Sequence, residues 1–312
     1  MLQNPQNRDI VVAALRHAAP YVRLYRRKTF VIKAGGEVFA DPASTRALIE
    51  QLAILHQVGI RTVLVHGGGP QNTRLAESLG VETRIVEGRR VTDEPTLEVA
   101  TMVLNGLINT QIVAACRQLD LPAIGVSGVD AGLVRARRRA PVRVAGHSSP
   151  VDYGYVGDIE SVDTTVLTTQ LENGLLPVVS PLSADASGTL LNINADTVAA
   201  ALASALGAAK LVLATAAAGI LEDRNDPASL ISYVDLAGLA KLEQAGALAD
   251  GMLPKARAIE AAIRGGVPRV HVISYKVPDS LLLEVFTNEG TGTLVVENIN
   301  MLSKEEKSSA PD

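Results

Sequence analysis

Apolar residues along the chain fall into short runs of strand length, and each run is followed by a Gly or Pro break and then by apolar positions at helical spacing. Phe30–Lys33 leads through Gly35-Gly36 into the helical stretch Pro42–Val58. Arg61–Val65 leads through His66–Pro70 into Gln71–Leu79, and Pro122–Val126 runs into a further glycine. This alternation predicts βαβ units, hence an α/β fold built on a mainly parallel sheet.

Thr96–Leu119 carries Val99, Met102, Val103, Leu107, Ile112 and Val113 at helical spacing, which predicts one long scaffold helix with a buried face. From Gly128 to Ile159 the pattern breaks into short alternating pieces, Leu133–Ala136, Val142–Ala145 and Tyr155–Ile159. These read as β-hairpins laid over one end of the sheet. The alternation then resumes, with strands at Pro177–Ser180, Leu190–Ile193, Lys210–Thr215, Arg269–Ile273 and Gly292–Val296. Helices are expected at Asp196–Leu206, Leu236–Ala245, Pro254–Arg264 and Pro278–Phe286. No Pro- or Ser-rich linker separates the halves, so two lobes, 29–180 and 181–300, are expected on one continuous sheet. The charged tail, 301–312, is expected to be flexible. Residues 1–28 hold a helix, Ile10–Arg23, outside the main alternation. Its apolar face needs cover from its own subunit or from another.

With 312 residues, 47% of them hydrophobic, the chain can bury a large core. A formal net charge of −4 gives no global reason to expect nucleic acid or an anionic membrane as partner. The single cysteine, Cys116, excludes an intrachain disulfide framework and a Cys-rich zinc site, and fits a reducing compartment. The polar start Met1–Asp9 does not read as a secretory signal, and no apolar run approaches about 18 residues. A cytoplasmic protein with a small-molecule partner is the expectation.

The candidate chemistry lies at the strand ends. Lys33-Ala34-Gly35-Gly36 sets an ammonium beside backbone N–H groups that a ligand can approach without meeting a Cβ, which suits phosphate. A surface lysine beside an ordinary turn has the same local sequence. His66-Gly67-Gly68-Gly69-Pro70 repeats the arrangement, with three glycines that are costly to order unless bare backbone is needed. His66 reads mainly as a residue fixing that turn, and less readily as a general base. Arg90 could clasp a carboxylate in bidentate fashion, or simply be solvated beside Arg89. In Leu191-Asn192-Ile193-Asn194-Ala195-Asp196, period-2 spacing points three polar side chains to one face, although Asp196 alone could be a helix cap. Lys255 sits in the first turn of a helix, where a cation is disfavoured unless an anion lies there too. Neither a P-loop, nor a dinucleotide fingerprint, nor the protein-kinase motif set is present.

Taken in order, Lys33-x-Gly-Gly, His66-Gly-Gly-Gly-Pro70, Gly88-x-Arg90-Val-Thr92, Asn192-x-Asn194-Ala-Asp196 and Asp250-Gly-Met-x-Pro-Lys255 resemble the amino acid kinase family across residues 8 to 298. The likeness is to its branch that phosphorylates N-acetyl-L-glutamate. The resemblance implies a three-layer αβα sandwich with an N-lobe for the acyl-amino-acid and a C-lobe for ATP. It makes Lys33 and Lys255 the groups flanking the transferred phosphoryl, and Asp196 the residue orienting them. Gly36, Gly68 and Gly69 would offer N–H groups to phosphate and acceptor, and Arg90 and Asn192 would hold the α-carboxylate and the acetylamino group. Gly35, Thr215, Gly219 and Gly251 fall on the ATP side. Mg²⁺ would be held mainly by the nucleotide phosphates, with no dedicated protein cage.

The N-terminal helix, together with His271, Glu284 and Gly290, is similar to the arginine-sensitive hexameric members of that branch. This implies a homo-oligomer, dimer or hexamer, with arginine as effector between helix and C-lobe and Glu284 meeting its cationic groups. One departure is Ala216, in Thr215-Ala216-Ala217-Ala218-Gly219, where the family usually has Asp; an altered ATP affinity is expected. Two other readings share the motifs: a kinase for N-acetylaminoadipate or a carrier-bound analogue, and a non-catalytic arginine-sensing module. Retention of Lys33, Asp196 and Lys255 disfavours the second.

Overall fold

The computed structural model describes residues 5–87, 89–144, 146–223, 225–226, 228–248, 251–287 and 290–302. The tail Ser303–Asp312, and Gly88, Ala145 and Asp250 of the sequence patterns, lie outside the described residues.

An eight-stranded sheet runs through the molecule in the order Tyr233–Asp235, Thr293–Val296, Val270–Ser274, Lys210–Thr215, Thr29–Ala34, Arg61–His66, Leu176–Ser180, Ala123–Ser127. Neighbours are parallel throughout, except that Val270–Ser274 and Thr293–Val296 are antiparallel. The central strands are apolar on both faces because helices cover both. Strand period 2 divides the core accordingly. Phe30, Ile32, Leu64 and Val212 pack with residues of helices Pro42–Gln57, Glu94–Arg117 and Ser280–Phe286. Val31, Val63, Val65, Leu211 and Leu213 pack with Thr165–Glu172, Ala195–Ala205 and Met252–Arg264. The result is the three-layer αβα sandwich. Lys33 shares the parity of Val31, which turns it toward the layer holding Asp196 and Lys255.

The helix starts follow from their caps. Asp41 Oδ2 accepts from Ser44 N at 2.8 Å ahead of Pro42, and Asp93 Oδ1 accepts from Thr96 N at 3.0 Å ahead of Glu94. Each supplies an acceptor to a backbone N–H that the first helical turn leaves unpaired.

The expected single helix over Thr96–Leu119 is corrected in one respect. Glu94–Thr101 and Asn109–Arg117 are α-helical, but Met102–Ile108 between them is a π-turn. Its wider turn rotates the following residues relative to an α-helical wheel. Leu107, assigned to the buried face, is therefore exposed while Leu104 and Ile108 are buried, and Met102, where the π-turn begins, is exposed as well. The helix is long and apolar enough to cross a membrane, yet Val99, Val103 and Ile112 belong to the interior of the sandwich.

A second sheet of four strands lies apart from the first, in the order Leu190–Asn192, Leu182–Ala184, Val134–Arg138, Gly157–Val162. It contains the expected hairpin, with Val134–Arg138 antiparallel to Gly157–Val162. It also takes Leu190–Asn192, which the alternation had placed with the resumed main pattern. Val142 makes only an isolated bridge to Val151 rather than a strand. Helix Thr165–Glu172 and the hairpin of Arg84–Val86 with Arg89–Val91 carried no expectation.

Candidate active site

Three charged side chains meet where the carboxyl end of the first strand faces two helix starts. Lys33 Nζ and Lys255 Nζ each lie 3.0 Å from the same oxygen, Asp196 Oδ1. Lys33, Asp196 and Lys255 are only 8, 7 and 7% exposed. Asp196 is held by its own helix start, but not as the cap. Asn194 is the cap, its Oδ1 accepting from Asp196 N at 2.9 Å and Thr197 N at 3.2 Å. That leaves the Asp196 carboxylate free for the lysines.

Burial pushes the Asp196 carboxyl up, but the charges of Lys33 and Lys255 outweigh it and hold the group at about 2. Lys255 is also lowered, from its ordinary value of 10.5. Burial lowers it first and the neighbouring Lys33 charge lowers it further, against the pull of Asp196. Two cations thus share one carboxylate oxygen in a buried place.

The cavity beside this cluster, 240 Å³, is floored by backbone. Lys33, Gly35, Gly36, Gly67, Gly68, Gly69, Arg90, Asn192 and Asp196 line it together. A Cβ on Gly36 would sit 2.8 Å from Gly68 Cα, so the two glycine turns approach too closely for any side chain there. At Gly69 a Cβ would meet nothing within 4 Å, which leaves open space over bare backbone. Arg90 Nη2 donates to Thr73 Oγ1 at 2.7 Å, and Nη1 is buried without a partner. Asn192 Nδ2 donates to Thr92 Oγ1 at 3.3 Å.

His66 is fully buried and accepts at Nε2 from Asn109 Nδ2 at 3.1 Å. Burial pushes its imidazole down to about 4, so it is neutral near pH 7, and it does not line the cavity. Thr215, Gly219 and Gly251 also lie outside that lining. Thr215 Oγ1 accepts from Ala217 N at 3.0 Å at the carboxyl end of its strand. Gly219 is packed against Thr293 and Leu230, Gly251 precedes the helix that carries Lys255, and Ala216 is exposed.

His271, Glu284 and Gly290 come together elsewhere, in a 100 Å³ pocket that also takes Tyr21 and Tyr25 of the N-terminal helix and Lys210. Lys210 Nζ is 3.0 Å from His271 Nε2, and His271 Nδ1 is 2.6 Å from Glu284 Oε1. Glu284 Oε2 accepts from Thr291 N at 3.0 Å. Burial and the Lys210 charge lower the His271 imidazole, so Nδ1–H donates to Glu284 and Nε2 accepts from Lys210.

A model described as the amino acid kinase family matches residues 28–274, most of the chain. The chain belongs to the amino acid kinase family. Among curated relatives of this amino acid kinase, acetylglutamate kinase from Myxococcus xanthus is 50% identical over 91% of this chain and 94% of its own. Among solved structures, N-acetylglutamate synthase from Neisseria gonorrhoeae complexed with coenzyme A and N-acetyl-glutamate superposes with a TM-score of 0.79. It is 30% identical over 92% of this chain and 63% of its own. The same synthase complexed with coenzyme A and L-arginine gives a TM-score of 0.77 at 27% identity, over 92% of this chain and 65% of its own. The chain thus spans under two thirds of that synthase.

Two residues of this amino acid kinase site, and one of the second pocket, carried no sequence expectation. Glu37 and Asn72 line the cavity, and Lys210 joins His271. The signal for Asn72 was its place in the first turn of helix Gly69–Ser78, directly after the glycine turn. Lys210 had none, since it is 61 residues from its partner.

Proposed function

We propose that the chain transfers the γ-phosphoryl group of ATP to the side-chain carboxylate of N-acetyl-L-glutamate, giving N-acetyl-L-glutamyl 5-phosphate and ADP in arginine biosynthesis. The observation that carries this reading is the pair of buried lysines on one carboxylate oxygen beside a cavity floored by glycine backbone. Two ammonium groups gathered on one carboxylate oxygen set positive charge where a phosphoryl group would be neutralised. Relatives named acetylglutamate kinase support the acceptor.

Lys33 and Lys255 flank the transferred group, and Asp196 keeps both ammonium groups aimed at it. Gly36, Gly68 and Gly69 offer N–H groups to the phosphoryl oxygens and the accepting carboxylate. Arg90 and Asn192 hold the α-carboxylate and the acetylamino group, while Thr215, Gly219 and Gly251 lie on the nucleotide side. A carboxylate oxygen attacks the γ-phosphorus, and the bond to the β,γ-bridging oxygen breaks with its electron pair leaving on ADP. No proton moves, because the acceptor is already ionised at neutral pH. A neutral His66 outside the cavity is consistent with that. Among the described residues no three His, Cys, Asp or Glu side chains group as metal ligands. Magnesium, carried on the nucleotide's own phosphates, would supply further charge neutralisation.

Arginine is the proposed feedback inhibitor, bound between the N-terminal helix and the C-lobe at His271, Glu284 and Gly290. The pocket there, and the related synthase complexed with L-arginine, support this. Ile10, Val11, Val12 and Leu15 are exposed along helix Pro5–Tyr25, which supports self-association through that helix in a cytoplasmic homo-oligomer.

Hydroxylamine trapping of acyl phosphate, with ATP and N-acetyl-L-glutamate, tests the reading. Wild type should form the hydroxamate, and Lys33→Met should lower kcat about 10²- to 10³-fold. Absence of trapped product from wild type would end the proposal. Unchanged rate and oligomer size at millimolar arginine would end its regulatory part.

A further inference from the structure

The acceptor side of the cavity contains two buried polar atoms with no protein partner, and they are opposite in kind. Arg90 Nη1 is a donor without an acceptor, and Asn72 Oδ1 is an acceptor without a donor. Both residues line the same cavity. The hydrogen bond from Arg90 Nη2 to Thr73 Oγ1 ties the guanidinium to the helix that carries Asn72. Asn72 is 7% exposed, so bulk water does not satisfy its amide oxygen. Two nearby donors are already committed, while Gln71 Oε1 is a further buried acceptor without a partner. The backbone N–H of Asn72 donates to Gly68 O at 2.8 Å, and Gln71 Nε2 donates to Gly36 O at 2.6 Å. An unpaired buried oxygen is costly, and a ligand that brings the missing donor recovers the loss.

We infer that Asn72 is a specificity-determining residue whose side-chain oxygen accepts the amide N–H of an α-acylamino acid, while Arg90 Nη1 holds the carboxylate on the same carbon. The inference rests on the proposed acceptor, N-acetyl-L-glutamate. At neutral pH the two carboxylates and the acetyl carbonyl of that molecule are acceptors only, and the acetamido N–H is its one hydrogen-bond donor. An acylated α-amino acid therefore presents one carboxylate and one N–H from a single carbon, the complement of the Arg90 and Asn72 pair. A free amino acid would instead set an ammonium close to the Arg90 guanidinium, where like charges repel. The pair thus selects acylated over free glutamate.

The test replaces the donor in the substrate. 2-Acetoxyglutarate carries an ester oxygen where N-acetyl-L-glutamate carries N–H, with little change in shape. Wild type should prefer the amide in kcat/KM by about 10- to 100-fold. Asn72→Leu should bring that ratio near one through the acceptor KM, leaving the KM for ATP unchanged. Asn72→Ser, which keeps an acceptor oxygen, should retain part of the preference. A merely structural role would lower both substrates alike and leave the ratio intact. A wild-type ratio of one, or a folded Asn72→Leu enzyme with the full preference, overturns the inference. The wild-type ratio and the Ser variant decide it should the Leu variant not fold. If wild type turns over neither acceptor, the functional reading itself falls, a result distinct from turnover without discrimination.

Discussion

Two buried ionic clusters lie on neighbouring strands at opposite ends of one parallel ladder. Lys33 stands near the carboxyl end of Thr29–Ala34, whereas Lys210 pairs with Phe30 at the amino end. At the carboxyl end two lysines share one oxygen of Asp196, and Glu37 lines the cavity beside them. At the amino end Lys210 and Glu284 are joined through a neutral His271, Arg269 lines the same pocket, and Thr291 N occupies the second carboxylate oxygen. Burial is similar in the two, so burial does not separate a phosphate site from a closed network. The end of the strand and the bare glycine backbone do, as phosphate sites of open α/β sheets lie at the carboxyl ends of the strands.

Removing the shared carboxylate should have the larger consequence. Asp196→Asn leaves two buried ammonium groups facing each other, an expected loss of about 3–5 kcal/mol in unfolding free energy. Saturating inorganic phosphate should return part of that loss, since an anion bound only by the folded state stabilises it. Denaturant unfolding with and without phosphate measures both. Rescue of Glu284→Gln to the same extent would break the distinction between the clusters.

Acid should separate them next. The His66 imidazole is held at about 4 and His271 below 6.5, so below pH 6.5 the unfolded chain binds protons that the folded chain refuses. Stability therefore falls as pH drops from 6.5, by about 2 kcal/mol at pH 5 for His66 alone. The carboxylates respond lower down. Glu284 contributes stability above 4.5 that is lost as pH falls through its depressed value, and Asp196 does the same between 3.8 and about 2. Unfolding of wild type and His271→Gln from pH 7 to 5 should show a shallower slope in the variant. Equal slopes would mean that His271 takes its proton as readily folded as unfolded.

Much of this arrangement was legible from residue order. The lysine at the end of one strand and the glycine turns after two strands put Lys33, Gly36 and Gly68 at strand ends, and the structure brings them into one cavity. Capping chemistry was legible as well, although the cap proved to be Asn194 and not Asp196. What escaped depends on contacts across the sheet or on altered helical pitch. Lys210 meets His271 only because their strands are neighbours, and the π-turn after Thr101 exposes Leu107. Thr215, Gly219 and Gly251 do not line the lysine cavity, a distance that motif order does not encode.

The smallest expected effect is at the amino-end cluster. Glu284→Gln keeps the shape and removes the charge. Because the histidine it meets is neutral, what is lost is one charge-assisted hydrogen bond and a through-ring attraction to Lys210. That should cost about 1–2 kcal/mol in stability. Turnover without effector should be unchanged, since Glu284 lies in the other pocket. The arginine response should weaken by about 10-fold or more, because a guanidinium entering this pocket needs the carboxylate for a charged, bidentate contact. Inhibition curves for wild type and variant at one acceptor concentration measure it. An unchanged arginine midpoint with lowered turnover would place Glu284 in the support of the catalytic lobe and leave the amino-end cluster without a regulatory part.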